Sequence, residues 1–250
     1  MPPLADLAVP FIVLAALATE AVVGFGSTVV TVTFGSMLLP LEALLAAYIP
    51  VNMALSLWIS VRDRAAVNRA LLLRRMLPLV GLGTLVGIAV FRPEWTKPLL
   101  ITFGVTVVGL SALQLRGLLR PDAELKPLPR RGANGLLGAA GVMHGLFGVA
   151  GPLVVFVLSR EVDDKRRFRA TLAPLWFVLN AALVVNYARL HLLGATSALR
   201  SASFVPALLL GAWLGQKVHA RVPERPFKLA VSTVLLLAGV AVVVNNALRG

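Results

Sequence analysis

Long apolar blocks, separated by short polar or basic segments, dominate the chain. Most of them approach the roughly 20 residues that a helix needs to cross a bilayer, which predicts an all-α polytopic membrane protein. The blocks lie at about residues 7–23, 27–39, 42–61, 76–92, 98–115, 133–147, 152–159, 170–188, 199–216 and 227–248. The blocks at 27–39 and 152–159 are too short to span comfortably, and each follows its predecessor after a few glycine-rich residues.

Each short block either completes a broken span or returns to its own side as a helical hairpin. The basic residues discriminate between these topologies, because Lys and Arg accumulate in cytoplasmic loops. Hairpins place four basic segments on one face, whereas single broken spans distribute them over both faces. These segments are residues 62–75, 116–131, 160–169 and 217–225. The charge pattern therefore favours hairpins, with both termini periplasmic.

A shift of the chain by 124 residues superimposes several glycines and prolines within matching apolar blocks. The pairs are Gly24 with Gly148, Pro50 with Pro174, and Gly87 with Gly211. We therefore expect an inverted repeat, in which each half is a broken-helix hairpin plus three transmembrane helices. The expected divisions are a first repeat over 1–118, a cytoplasmic linker over 119–131 and a second, inverted repeat over 132–250.

Composition narrows the class of protein further. Of the 250 residues 58% are apolar and only 14% are charged, and the net charge is +13. Because the basic residues flank apolar blocks, they indicate membrane sidedness, and nucleic acid is not an expected partner. The sequence contains no cysteine, which excludes disulfides and thiol catalysis, and it contains no metalloprotease or P-loop motif. We expect a protein that is not an enzyme and that uses no cofactor or metal.

Glycine-rich tips between short helices are the strongest functional signal. The helix after each tip begins with free N–H groups and the positive end of its dipole, so two opposed tips that converge at the midplane would attract an anion. Polar residues on the proline-containing helices either line this cavity or hydrogen-bond between helices. The candidate substrate-binding residues are Gly24, Gly26, Ser27, Thr28, Thr31, Asn52, Ser56, Gly148, Gly151, Pro152 and Asn180.

Glu20 and His144 each lie four residues before a tip glycine, at equivalent places in the two repeats. Ionisable groups at membrane depth are costly, so both are candidates for proton coupling. A carboxylate repels a bound anion, and we expect Glu20 to be protonated when the anion binds. The alternatives are a hydrogen-bonded structural carboxyl and a packing histidine.

The runs E-A-V-V-G-F-G-S-T at 20–28 and G-L-F-G-V-A-G-P at 145–152 resemble the duplicated glycine signature of the TauE/SafE sulfite exporter family, within the toluene sulfonate uptake permease group. Further glycines fit the resemblance, namely Gly83, Gly87, Gly211 and Gly215. The resemblance implies a bacterial inner-membrane carrier of sulfite, organosulfonates or related sulfur anions. Four positions depart from the typical glycines, which leaves the substrate and the direction of transport open. They are Ser27, Thr28, Ala150 and Pro152.

We therefore expect a secondary transporter, an exporter of sulfite or a related sulfur oxyanion, that works by alternating access with proton coupling. A passive anion channel and a non-transporting membrane assembly protein are the alternatives. The expected partners are the small anion and the lipid bilayer, and association as a homodimer is left open.

Overall fold

The computed structural model describes residues 3–90, 96–119 and 127–248, and the regular structure in these ranges is helical. The helices are α1 Pro3–Val23, α2 Ser27–Val30, α3 Leu41–Arg62, α4 Arg69–Leu71, α5 Leu77–Val90, α6 Thr96–Leu118, α7 Arg130–Phe147, α8 Gly151–Leu158, α9 Lys165–Arg189, α10 Ala195–Ser203, α11 Val205–Arg221 and α12 Glu224–Leu248. A π-helical turn over Thr31–Gly35 continues α2, and a second one over Leu72–Met76 joins α4 to α5. The expected all-α fold is confirmed.

Among the described residues, five helical stretches are long and apolar enough to cross a membrane. They are Leu41–Arg62, Arg69–Val90, Lys165–Arg189, Ala195–Arg221 and Arg225–Asn245. Large apolar side chains such as Leu82, Leu209 and Trp213 are more than half exposed on these helices. In water such surfaces would be unfavourable, whereas lipid tails solvate them. The expected membrane protein is confirmed.

One apolar block is divided differently from its prediction. The block at 199–216 contains parts of two helices, because α10 ends at Ser203 and α11 begins at Val205. Pro206 has no N–H group, so it cannot donate the hydrogen bond that would join the two helices smoothly. Prolines are tolerated in the first turn of a helix, and Pro206 occupies the second position of α11.

The chain forms two compact units, and neither is a continuous stretch of sequence. The first unit comprises Met1–Val67 and Arg169–Arg221, and the second comprises Asn68–Phe168 and Val222–Gly250. The tip before α2 belongs to the first unit, and the tip before α8 belongs to the second. The division into two repeats stays a prediction, and residues 120–126 of the expected linker lie outside the described residues.

In the first unit, α1 packs along α11 through small side chains. A Cβ atom added to Gly211 would lie 3.0 Å from the backbone nitrogen of Ala18, and one added to Gly215 would lie 2.9 Å from the Ala18 carbonyl oxygen. Helices in membranes associate closely where small residues let their backbones approach. These glycines therefore set the distance between α1, which carries Glu20, and α11.

In the second unit, α5 and α7 cross with their backbones in contact at four glycines. The glycines are Gly83 and Gly87 on α5, and Gly141 and Gly145 on α7. A Cβ atom at Gly141 would lie 2.8 Å from the Cα atom of Gly83, a separation that real Cβ atoms do not show. The close approach of α5 and α7 therefore depends on glycine, which has no side chain, at these four positions.

Pro50 and Pro174 lie inside α3 and α9, as their positions within apolar blocks predicted. A proline inside a helix removes one backbone donor and disturbs the preceding turn. At Pro50 this preceding turn receives a hydroxyl from elsewhere, because Ser201 Oγ donates to the carbonyl of Ala47 at 2.7 Å. The carbonyl that loses its donor to Pro50 is that of Ala46, so this hydroxyl bonds the carbonyl next to it.

Candidate functional site

The first tip is built by two glycines with positive φ. Gly24 has φ +89° and Gly26 has φ +95°, values that side chains rarely tolerate. The Gly24 N–H group still donates to the Glu20 carbonyl at 2.6 Å, which closes the last turn of α1. The chain then turns back, so that α2 and its π-helical continuation pack against α1. Whether both ends of this turn face the same side of the membrane, as the hairpin topology requires, stays a prediction.

A buried carboxylate cluster lies beside this tip, and we define it as Glu20, Ser27, Asn52, Ser56 and Asn180. The Ser27 hydroxyl donates to Glu20 Oε2, and Asn52 Nδ2 donates to the same oxygen at 2.7 Å. The Ser56 hydroxyl lies 3.4 Å from Glu20 Oε1. Asn180 Nδ2 donates to Asn52 Oδ1 at 2.7 Å. The cluster joins four helices, because its members come from α1, α2, α3 and α9.

Every side chain of the carboxylate cluster is at most 3% exposed. Its three hydrogen bonds to Glu20 come from neutral donors, two hydroxyls and one amide. Hydrogen bonds to an ionised oxygen are roughly twice as strong as neutral ones, so these donors hold a carboxylate well. The first tip is therefore a place where protein donors converge on one buried carboxyl group.

The structure brings the predicted residues of the first unit together around Glu20. Gly24, Gly26 and Thr31 are buried in the same region, whereas Thr28 is partly exposed. Asn52 and Asn180 hydrogen-bond between helices, which was one of the two alternatives, and their lining of a substrate cavity stays a prediction.

The predicted residues of the second unit lie around the second tip. Gly148 has φ +71° and donates its N–H group to the His144 carbonyl at 2.7 Å, which repeats the arrangement at Gly24. His144 is 3% exposed, Gly148 and Pro152 are buried, and Gly151 is partly exposed. Both tip glycines thus have positive φ. A cavity shared by the two tips stays a prediction.

Arg169 is a site residue that the sequence reasoning missed, since it was counted among the basic residues of 160–169. It is 1% exposed and donates to the Ala21 carbonyl at 2.6 Å, to Asp63 Oδ2 at 2.5 Å and to Gln216 Oε1 at 2.8 Å. Its Cα and Cγ atoms lie 3.2 Å from the position of a Cβ on Gly24. Arg169 therefore ties the end of α1 to α3 and α11 directly behind the tip.

Trp176 supports the same tip from α9. Its indole Nε1 donates to the Gly24 carbonyl at 2.8 Å, and its side chain is 6% exposed. The sequence did contain a signal for this face, because Arg169, Trp176 and Asn180 recur at i, i+7 and i+11. That spacing places three side chains on one side of a helix. Among the described residues, no group of three or more His, Asp or Glu side chains could hold a metal ion.

Comparison of the sequence with known proteins identifies the family of this chain. The sequence profile described as "Sulfite exporter TauE/SafE" matches residues 9–242, which includes both tips and the whole carboxylate cluster. The chain is also 24% identical, over 172 residues, to the "Probable inner membrane transporter protein TsaS" of Comamonas testosteroni. That match covers 66% of this chain and 69% of the relative. No solved structure matches the chain. The chain belongs to the sulfite exporter TauE/SafE family.

Proposed function

We propose that this protein is a secondary transporter that exports a small sulfur oxyanion, sulfite or a related sulfonate, by alternating access coupled to protons. The observation that carries the proposal is the carboxylate cluster, in which buried donors at a glycine tip already converge on the two oxygens of one carboxyl group. The description of the family supports the substrate class, and the name of the relative from Comamonas testosteroni supports transport across the inner membrane.

Glu20 acts in this proposal as a resident anion that the substrate replaces. A carboxylate and an oxyanion cannot share a small buried space at low cost, because like charges repel strongly where water is excluded. Protonation of Glu20 removes its charge and leaves Ser27 and Asn52 available as donors to the incoming anion. When the anion leaves, the proton leaves too, and the carboxylate recovers its donors. Anion and proton thus cross together.

In this proposal the tips bind the anion through main-chain groups and not through side chains. Gly24 and Gly148 present main-chain groups without a Cβ atom, so that an anion can approach the N–H groups that begin the next helix. His144 occupies the place in the second unit that Glu20 occupies in the first. In the proposal its imidazole becomes cationic as the anion binds, which balances the remaining charge.

Alternating access needs two similar halves, and the packing within each unit supports an inverted repeat. Under the 124-residue shift, α5 and α7 correspond to α11 and α1. Gly87 lies at the contact of α5 with α7, and its partner Gly211 lies at the contact of α11 with α1. The same type of glycine contact thus recurs in equivalent helix pairs. Each proposed half contains an odd number of crossings, which would invert the second half.

The test is counterflow of radiolabelled sulfite in proteoliposomes, with and without an imposed proton gradient. We expect external labelled sulfite to accumulate when unlabelled sulfite is inside, because a carrier exchanges substrate. A passive channel would show no such stimulation. A purified, folded protein that sulfite, thiosulfate and small sulfonates all fail to stabilise against heat would indicate an assembly role, since a ligand of the native state must raise its stability.

Glu20→Gln tests the coupling step separately. The amide imitates a protonated carboxyl, so the variant should exchange sulfite but lose accumulation driven by the proton gradient. Glu42→Gln is the matched control, because Glu42 is exposed in the first turn of α3. Full gradient-driven transport by Glu20→Gln, with an unchanged pH profile, would show that the carboxyl is structural.

A further inference from the structure

One exposed face of α11 changes from apolar to basic towards the end of the helix. We define this face as the α11 stripe, with the members Leu210, Trp213, Leu214, Lys217 and Arg221. Its three apolar members are 42–54% exposed, and its two basic members are exposed as well. The members recur every three or four residues, so they lie on one side of the helix. Gly211 and Gly215, which contact α1, lie on a different side.

Two members of the α11 stripe, Trp213 and Lys217, are in direct contact. The Lys217 ammonium nitrogen lies 3.7 Å from the centroid of the Trp213 ring. Because an ammonium carries three N–H groups and the ring occupies one side of it, donors remain for an anion. Tryptophan is enriched where hydrocarbon meets headgroups, since its ring is apolar and its N–H group is polar. The pair therefore marks the level of the lipid headgroups on α11.

The end of α3 carries a second pair of the same kind. The Arg62 guanidinium lies 5.2 Å from the centroid of the Trp58 ring, and Trp58 is 37% exposed. The Nη2 atom of Arg169 donates to both Asp63 and Gln216, which brings the ends of α3 and α11 to the same level. Asp63 directly follows Arg62, and Gln216 directly precedes the lysine of the α11 stripe. Both cations thus lie at one level, and both tryptophans lie four residues, or about 6 Å, deeper.

The charge at this end of the first unit is basic. In the described part of the unit the carboxylate at this end is Asp63, which is buried and bound to Arg169. Arg62, Arg64 and the two cations of the α11 stripe are exposed. Cations beside an apolar surface are complementary to a molecule with an anionic head and hydrocarbon tails. The basic residues also predict that this end is cytoplasmic, where anionic lipids attract Lys and Arg.

We propose that the α11 stripe is a binding site for an anionic phospholipid. Lys217 and Arg221 hold the headgroup phosphate, Trp213 contacts the glycerol region, and Leu210 and Leu214 contact the acyl chains. A zwitterionic lipid carries the same phosphate together with a cation, which the two basic residues repel. The stripe therefore selects phosphatidylglycerol over phosphatidylcholine. This binding does not involve the transported anion, so its test is independent of transport.

Quenching of tryptophan fluorescence by brominated lipids measures which lipid contacts Trp213. The full-length protein is reconstituted into phosphatidylcholine vesicles with increasing fractions of phosphatidylglycerol, and bromine is placed on the acyl chains of one lipid or the other. The fluorescence that is lost in Trp213→Phe is the contribution of Trp213. Quenching of this contribution at each lipid fraction gives the relative affinity of the two lipids, and melting temperatures in detergent check that each variant is folded.

We expect phosphatidylglycerol to bind beside Trp213 about 25-fold more tightly than phosphatidylcholine, because each basic residue near an anionic lipid contributes a factor of about five. Lys217→Gln should lower this preference about fivefold, and the double variant with Arg221→Gln should abolish it. Lys217→Arg should retain it, since the charge is kept. Arg189→Gln is the matched control and should change nothing, because Arg189 is an exposed cation of the same unit in the last turn of α9.

Three outcomes overturn the proposal. Equal affinities of the two lipids beside Trp213 in the wild-type protein would show that the α11 stripe does not select an anionic lipid. A loss of preference in Arg189→Gln as large as in Lys217→Gln would indicate attraction by the total charge and no site on α11. Absence of quenching by either lipid would show that lipid does not contact the stripe, and a dimeric mass in detergent would then identify a second copy of the chain as its occupant.

Discussion

The crossing of α5 and α7 offers a sharp test of packing, because two glycines three residues apart on α7 have opposite surroundings. A Cβ atom at Gly141 would lie 2.8 Å from the Cα atom of Gly83 and 2.9 Å from the carbonyl carbon of Val80, and closer still to the carbonyl oxygen. A Cβ atom at Gly138 would have nothing within 4 Å. Gly141→Ala and Gly138→Ala therefore add the same methyl group to the same helix.

The size of the effect follows from these distances. Carbon atoms pack best at about 3.5–4.0 Å, so the Gly141→Ala methyl group has to push α5 away by about 1 Å. Overpacking of this kind typically costs about 1–3 kcal/mol, and the close Cα–H···O contacts between the backbones weaken as well. Gly138→Ala should instead gain roughly 0.5–1 kcal/mol from the higher helix propensity of alanine. We expect the two variants to differ by about 2–4 kcal/mol.

Thermal unfolding in detergent, followed by the fluorescence of the four tryptophans, measures this difference. At about 2–4 °C for each kcal/mol in a chain of this size, Gly141→Ala should melt on the order of 4–16 °C below Gly138→Ala. Equal melting temperatures for the two alanine variants, or a more stable Gly141→Ala, would refute the reasoning that the missing side chain sets the helix separation.

Three further predictions concern the first tip and the topology. Asp63→Ala should destabilise the protein by about 3–5 kcal/mol, because it leaves the buried Arg169 charge uncompensated. In a double-mutant cycle measured by thermal unfolding, adding Arg169→Met should recover part of the lost stability. Gly24→Leu should abolish sulfite transport, because the new side chain would clash with Arg169 and the backbone of Gly24 has a positive φ. Gly135→Leu, at a position with open space, should retain transport. Normal transport by Gly24→Leu would exclude the tip as the site. A single cysteine at Arg69 in this cysteine-free chain should resist impermeant thiol reagents applied outside intact cells, and labelling there would refute the hairpin topology.

The sequence predicted the helices and the tips well because their signals are local. Apolar length marks a span, and a glycine such as Gly24 marks a turn that a side chain would strain. The grouping of Glu20, Ser27 and Asn52 could also be expected, since all three are polar residues in apolar surroundings where partners are scarce.

Long-range packing was not predictable in the same way. Arg169 resembles the basic residues beside it, and only the contact with Asp63 shows that it is buried. The block pattern also gives no indication that α1 packs on α11, because any apolar face can pack on another, and only the small residues at Gly211 and Gly215 favour that pair.

The interleaved first unit has a consequence for how the protein is made. Asn52 and Asn180 are 128 residues apart in sequence, yet they share a hydrogen bond inside one unit. During synthesis the ribosome completes α1, α2 and α3 with the partners of Glu20 early, whereas Asn52 enters the membrane long before Asn180 exists. Until α9 is made, the amide oxygen of Asn52 therefore needs another donor, from water, the insertion machinery or a chaperone.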